Sequence, residues 1–239
     1  MNGISLGAPL KRYVYKNNKS FIGMSRTFNI KISDEVIEKV PDLFVKMKVV
    51  ENVTVGNTSQ KLQNRKARIL ENWKDKNQND LGSNPEIMAY RNLQKKFGAD
   101  PKQMLPAVEG MLVRGVFKEK FPTINSAVDA ANITSIECLI PIGLFDFDSI
   151  EGGIELAISH HGDEFIPLGK TSAEKLKPNT PILRDSKKIF SAVGSRDSKD
   201  TMITPNSRNL LLFSWGTNEI SEEKVSEALD KCAALIQSK

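Results

Sequence analysis

The order in which two hydrophobic periods follow one another constrains this chain more than any single motif. Apolar residues first recur at helical spacing, then fall into short strand-like runs, and finally return to a helical period. Residues 60–76 read as a helix with Leu62, Ile69 and Trp73 on its apolar side. Asn84-Pro85 and Asp100-Pro101 each pair an N-cap residue with proline at the first helical position, predicting helices over 85–97 and 101–118. A third helix of this series opens near Thr123. Strands are expected at 154–159, 164–168, 181–184, 189–193 and 210–215, separated by Gly, Pro, Asn and Asp, with an earlier one at 43–50. Gly152-Gly153 reads as a hairpin turn. Ser221, followed by Glu222 and Glu223, opens a last helix whose Val225, Leu229, Cys232 and Ile236 face inward. Helices, then strands, then a helix predict an α+β domain rather than an alternating βαβ fold.

Charge divides the chain unevenly. Residues 1–100 hold 18 Lys and Arg against 10 Asp and Glu, whereas residues 101–239 hold 16 against 19. A basic half suits a polyanion engaged from one side, and it equally suits a solvated basic surface. Residues 1–33 contain six basic residues and no acidic one, and read as a basic N-terminal extension, either flexible or ordered. Residues 34–239 then form a single α+β domain. No apolar run approaches the length of a membrane span. Cys138 and Cys232 are too far apart in sequence for a CxxC site and sit in apolar helical patterns, which predicts buried free thiols and a reducing, cytoplasmic setting.

Familiar catalytic signatures are missing: there is no P-loop, no GxGxxG and no GxSxG. His160 and His161 are adjacent at a strand end, where neighbours point to opposite faces, so no metal site is expected. Three polar groupings remain. Asn125, Asp129 and Asn132 stand at i, i+4 and i+7, on one helical stripe, as a polar site or as caps and a buried network. The loop around Arg196, Asp197, Ser198 and Thr201 gathers hydroxyl and guanidinium donors suited to an ester, a ribose or a phosphate; its plain alternative is a self-capping turn. Lys61, Arg65 and Arg68 repeat the i, i+4, i+7 spacing on the helix at 60–76, as a phosphate-facing stripe or a solvated face.

An ordered series of short matches runs through these groupings. It begins at Asn84-Pro85, Arg91, Phe97-Gly98 and Asp100-Pro101, and passes through Pro122, Ile124-Asn125, Val128-Asp129 and Asn132. Ser135, Pro141, Gly143, Asp146, Gly162, Glu164-Phe165 and Pro167-Leu168-Gly169 follow. Asp185, Arg196-Asp197-Ser198, Thr201, Ile203-Thr204 and Arg208-Asn209 complete it. In this order the chain resembles the freestanding relatives of the B3/B4 domain, the editing domain of the phenylalanyl-tRNA synthetase β subunit, over about residues 84–213.

The resemblance implies a layered domain with a β-sandwich-like core and flanking helices. It also implies a tRNA partner, met at its aminoacylated 3′ end, and hydrolysis of the ester of a mischarged tRNA without a cofactor; no DNA is expected. Under it, Asn132, Thr201 and Glu164 are the expected catalytic residues. Asn125, Asp129, Gly143, Arg196, Asp197 and Ser198 would bind substrate, and Lys61, Arg65 and Arg68 would contact RNA. Gly143 stands where the synthetase pattern carries histidine, so no imidazole role carries over. An aminoacyl ester is already activated, and its hydrolysis needs a positioned water and a stabilised oxyanion more than a strong nucleophile. The alternatives are a tRNA- or RNA-binding module without catalysis and a protein that binds a free amino acid in the same pocket. No sequence signal sets an oligomeric state.

Overall fold

The structure, a computed structural model, describes residues 12–15 and 28–238. In chain order, β1 (Arg12–Tyr15) and β2 (Phe28–Ile32) precede α1 (Asp34–Lys39) and β3 (Phe44–Val50). Four helices follow: α2 (Gln60–Trp73), α3 (Pro85–Lys96), α4 (Ala107–Arg114) and α5 (Ser126–Cys138). The strand-rich half holds β4 (Gly143–Asp146), β5 (Ile154–Ile158), β6 (Glu164–Phe165), β7 (Glu174–Lys175), β8 (Pro181–Arg184), β9 (Ile189–Ala192) and β10 (Leu210–Gly216). α6 (Glu222–Gln237) closes the described chain. The fold is α+β, as the succession of periods predicts.

Two sheets share one core. β1-β2-β5-β8-β9 form a five-stranded sheet, antiparallel except where β2 runs parallel to β5. β3-β10-β4 form an antiparallel three-stranded sheet, and β6 pairs with β7. Alternation along β10 sorts its side chains between two layers. Leu211, Phe213 and Trp215 pack with Ile30, Leu156, Leu183 and Phe190 of the larger sheet, giving the sandwich. Leu210 and Leu212 point the other way, onto Ala127 and Ala131 of α5 and Leu229, Cys232 and Ala233 of α6. Gly216 ends the strand where a Cβ would come within 2.6 Å of the Phe44 ring. α3 covers one end of the sandwich: the Tyr90 hydroxyl donates to the Trp215 carbonyl at 2.9 Å, and Phe97 stacks on the Trp215 ring at 5.9 Å between centroids. α2, α4 and α5 meet in a separate apolar cluster around Ile69, Leu112 and Ile133.

Several elements depart from the sequence reading. The helix expected over 101–118 is a turn followed by α4. Pro106, which lacks an N–H and disfavours helical geometry before it, sets the later start; the Asp100 carboxylate meanwhile accepts from Lys102 N and shapes the turn. Gly152-Gly153 is not a hairpin. β4 lies in the smaller sheet and β5 in the larger, so this segment carries the chain between them. Gly152 adopts φ +74, and Ser186 Oγ would stand 3.1 Å from a Cβ there. Asp185 braces that crossing by accepting the backbone N–H groups of Glu151, Lys187 and Lys188 at 2.7 to 2.9 Å. Burial pushes its carboxyl up, but these three donors and the Lys188 ammonium hold it below the usual range. The strand expected at 164–168 shrinks to Glu164–Phe165. The basic extension placed at 1–33 is cut into: β2 belongs to the larger sheet and β1 pairs with β2, while 1–11 and 16–27 lie outside the described residues. Cys232 is buried and Cys138 half-buried, both as free thiols.

One buried charge pair fixes the helical layer to the chain that precedes it. Asp129, fully buried on the first turn of α5, lies 2.8 Å from Lys66 Nζ on α2. Ile124 N and the Thr58 hydroxyl also donate to its carboxylate. Lys66 in turn reaches the Pro122 carbonyl at 2.6 Å and Thr123 Oγ1 at 3.1 Å. Both ions have left water, so the pair is tolerable only because each is met by several partners. Asp129→Ala is expected to destabilise the fold by about 3–5 kcal/mol, and joint replacement of Asp129 and Lys66 by Leu and Met by much less. Urea unfolding of the two variants measures this; equal losses in both would show that the charge pairing is not what holds the layers together.

Candidate functional site

The open end of the sandwich, beneath α3, holds a cavity of about 650 Å³. Its walls come from separate parts of the chain. α5 contributes Asn132, β4 contributes Gly143 and Phe145, and the end of α4 contributes Arg114. The segment after β9 supplies Arg196 and Asp197. Phe213 and Trp215 of β10 form an apolar back wall.

Local geometry explains why the segment after β9 reaches the cavity. Gly194 takes φ +82, and a Cβ on it would strike the Met104 thioether at 2.2 Å, so the chain turns tightly against Met104. Leu168 N then donates to the Asp197 carbonyl at 2.7 Å, and Pro167 bridges Ser198. Gly169, at φ +83, leaves room for Arg196, whose Nη1 would be 3.0 Å from a Cβ there. Pro167-Leu168-Gly169 and Arg196-Asp197-Ser198, matched separately in the sequence, are thus two sides of one strand-like pairing.

Among the described residues, Asp197 is the one carboxylic acid in the cavity wall. Removal from water pushes its carboxyl up to about 6, and the hydrogen bond from Ser191 Oγ, at 2.6 Å, only partly opposes that shift. At neutral pH it is largely ionised, close to the pKa at which a carboxylate exchanges protons efficiently. Tyr90, also on the wall, is driven well above the usual phenol range by burial, so it stays neutral and donates to the β10 backbone.

The predicted site residues separate into those that line the cavity and those that build the frame. Asn132, Gly143, Arg196 and Asp197 line it. Asn125 does not: it caps α5, accepting from Ala127 N at 3.1 Å and Val128 N at 2.9 Å. Asp129 is committed to Lys66 and Thr58. The polar stripe of the sequence is therefore a cap, a buried ion pair and one cavity residue. Ser198 is buried and caps the 3-10 turn Lys199–Thr201, accepting from Asp200 N at 3.1 Å. Thr201 is buried outside the cavity wall, with its hydroxyl unpartnered. Glu164 is exposed on the β6–β7 hairpin and does not line the cavity. His160 and His161 are exposed as well.

A side chain at Gly143 would meet the Phe145 ring at 2.9 Å, so Phe145 occupies the space into which a residue at this position would project. Along α2, Lys61 and Arg68 are exposed, but Arg65 makes a two-point contact with Glu137 of α5. Lys61 and Arg68 of the basic stripe are thus exposed, while its middle member joins two helices. Sequence spacing missed Arg114, Gln94 and Ser191, which line the cavity from three further elements.

Because the folded state raises the Asp197 pKa, its contribution to stability is full below the ordinary value of 3.8 and is lost as pH rises through about 6. Asp197→Asn is expected to leave stability unchanged near pH 3.5 and to raise it, relative to the parent, by up to about 3 kcal/mol above pH 7. Chemical unfolding between pH 3.5 and 8 checks this, and a constant difference across that range would refute it.

The phenylalanine–tRNA ligase β subunit of Mycoplasma genitalium is 33% identical over 103 residues, covering 43% of this chain and 12% of that protein. That of Yersinia pestis is 27% identical over 150 residues, covering 57% of this chain and 19% of its own length. This chain therefore spans less than a fifth of either relative. Among solved structures, an N-terminal fragment of the phenylalanyl-tRNA synthetase β subunit from Pyrococcus horikoshii aligns with a TM-score of 0.45 at 15% identity, covering 86% of this chain and 47% of the fragment. The model of the B3/4 domain matches residues 89–239, from the middle of α3 through α6, and the chain accordingly belongs to the B3/4 domain family.

Proposed function

We infer that this protein binds tRNA and hydrolyses the ester of a mischarged aminoacyl end. The observation that carries the reading is the convergence of Asn132 from α5 and of Arg196 and Asp197 from the segment after β9 on one 650 Å³ cavity in a B3/4 domain. Each residue type suits a step of ester hydrolysis. The ionised Asp197 takes a proton from water as the water oxygen attacks the acyl carbon. The Arg196 guanidinium and the Asn132 amide supply donors for the developing oxyanion. The ribose oxygen then leaves as the hydroxyl, recovering the proton. No step needs histidine, so Gly143 is compatible with the chemistry. Glu164, Thr201, Asn125, Asp129 and Ser198 support the frame in this scheme. RNA is held through exposed Lys61 and Arg68 on α2. A binding module without turnover is the second reading, and it is favoured by the glycine that replaces the synthetase histidine.

A panel of mischarged tRNAs tests the catalytic reading. Ester loss above the uncatalysed rate should increase with pH through about 6 and then level off, following Asp197. Asp197→Asn should remove that pH dependence and slow turnover by about 10²-fold or more. Asn132→Ala should lower turnover by a comparable factor, while Glu164→Gln leaves it within a factor of about two. Bound RNA with no turnover on any substrate selects the binding module instead.

RNA contact has its own signature. Replacing Lys61 and Arg68 together with alanine should reduce the slope of log affinity against log salt by between about 1 and 2, whereas Arg65→Ala, already engaged by Glu137, should barely change it. A salt slope unaffected by the double change would place the RNA on another face.

A further inference from the structure

The side-chain oxygen of Gln94 on α3 is buried without a hydrogen-bond partner among the described residues, and the residue is only 7% exposed. Folded proteins rarely leave an acceptor in this state, because it has given up water and gained nothing. Its surroundings explain the lack of an internal donor. Tyr90, one turn earlier, commits its hydroxyl to the Trp215 carbonyl, and Leu93 and Phe97 have no side-chain donor. Gln94 also occupies a particular place. It lines the 650 Å³ cavity and a second one of about 370 Å³ alongside, which shares Gln103, Met104, Pro181, Val193 and Trp215 with the first.

We propose that the two cavities are the two chambers of one site and that Gln94, at their junction, determines specificity for a free α-amino group. Its side-chain oxygen accepts a hydrogen bond from the α-ammonium of the bound aminoacyl end. The ester lies in the larger chamber and the amino-acid side chain enters the smaller. This rests on the ester-site reading above and adds to it the group that is recognised.

Three features favour an ammonium as the missing donor. It carries three donors and no acceptor, so it can satisfy a lone oxygen in any rotamer, and its charge strengthens the bond. It is common to every aminoacyl ester, so the orphaned oxygen is met whatever the side chain. The charged groups are also suitably divided. Asp197 gives the larger chamber a carboxylate to offset the desolvated ammonium, while Arg114 and Arg196 line that chamber and not the smaller one. Phe97, Pro181, Val193 and Trp215 give the smaller chamber apolar walls fit for a side chain.

The test uses the full chain and non-hydrolysable probes: 3′-amino-3′-deoxyadenosine acylated with L-alanine or L-phenylalanine, and the matching propionyl and 3-phenylpropionyl amides that lack the amino group. Calorimetric titration should show the amine-bearing member of each pair binding about 10-fold tighter or better, the effect of one charge-assisted hydrogen bond. Gln94→Met, which keeps the length and removes the acceptor, should bring that ratio below about 3 while the des-amino probes bind as well as before. Its thermal midpoint should equal or exceed the parent's. Should Gln94→Met fail to fold, Gln94→Glu keeps the shape and is expected to enlarge the amine preference; a diminished one overturns the proposal. A preference that persists in Gln94→Met, or that the parent protein never shows, also overturns it while leaving the ester-site reading intact. Failure of the parent protein to bind any of the four probes removes the ester-site reading and this proposal with it.

Discussion

Leu210–Gly216 has no face toward solvent, and every layer of the molecule is arranged around that fact. All seven of its residues are buried. The odd-numbered apolar side chains are met by the larger sheet, the even-numbered leucines by α5 and α6. Its two edges are met by β3 and β4. A strand enclosed on all sides tolerates no register slip, because a shift of one residue would exchange the two faces. The positions of the sandwich core, the helical layer and the cavity wall are therefore tied to one another through a single segment.

The cavity follows from how that strand ends. Trp215 extends beyond the part of the sandwich that β4 covers, since β4 pairs with Leu210 to Phe213. α3 roofs the gap from above through Tyr90 and Phe97, and the tight turn at Gly194 brings Arg196 and Asp197 in from the side. Backbone geometry at Gly194 and the pairing of Leu168 with Asp197 fix where Arg196 and Asp197 leave the chain, which favours a preorganised site.

Much of the frame was legible in the sequence because it rests on local rules. β10, α6 and the N-cap-and-proline start of α3 follow from alternation, helical period and capping, and each involves few residues at short range. The misreadings arise where a distant partner decides. Asp100-Pro101 looks like a helix start, but Pro106 five residues on delays the helix. Gly152-Gly153 looks like a hairpin, because nothing local reveals that β4 and β5 enter different sheets. The site shows the same division. Helical spacing placed Asn125, Asp129 and Asn132 on a common stripe, yet it could not tell that Lys66, from a helix about 60 residues earlier, would claim the middle one. Arg196 and Asp197 were found as a dense polar loop, whereas Gln94, one of several polar residues on α3, and Arg114, at the end of α4, had no signal to distinguish them from surface positions.

Chain topology also has a kinetic side. β3 pairs Val50 with Leu210, about 160 positions apart, and β2 joins β5 across about 120, so each sheet is completed only by pairing distant segments. Long-range closure of this kind must be completed before its contacts repay the lost chain entropy, which places the domain among slow folders. During synthesis β3 and β4 emerge well before the strand that separates them, and their edges stay open until β10 arrives. The danger period for this protein is the interval before its last strand is made, when two unpaired edges can find partners on other chains.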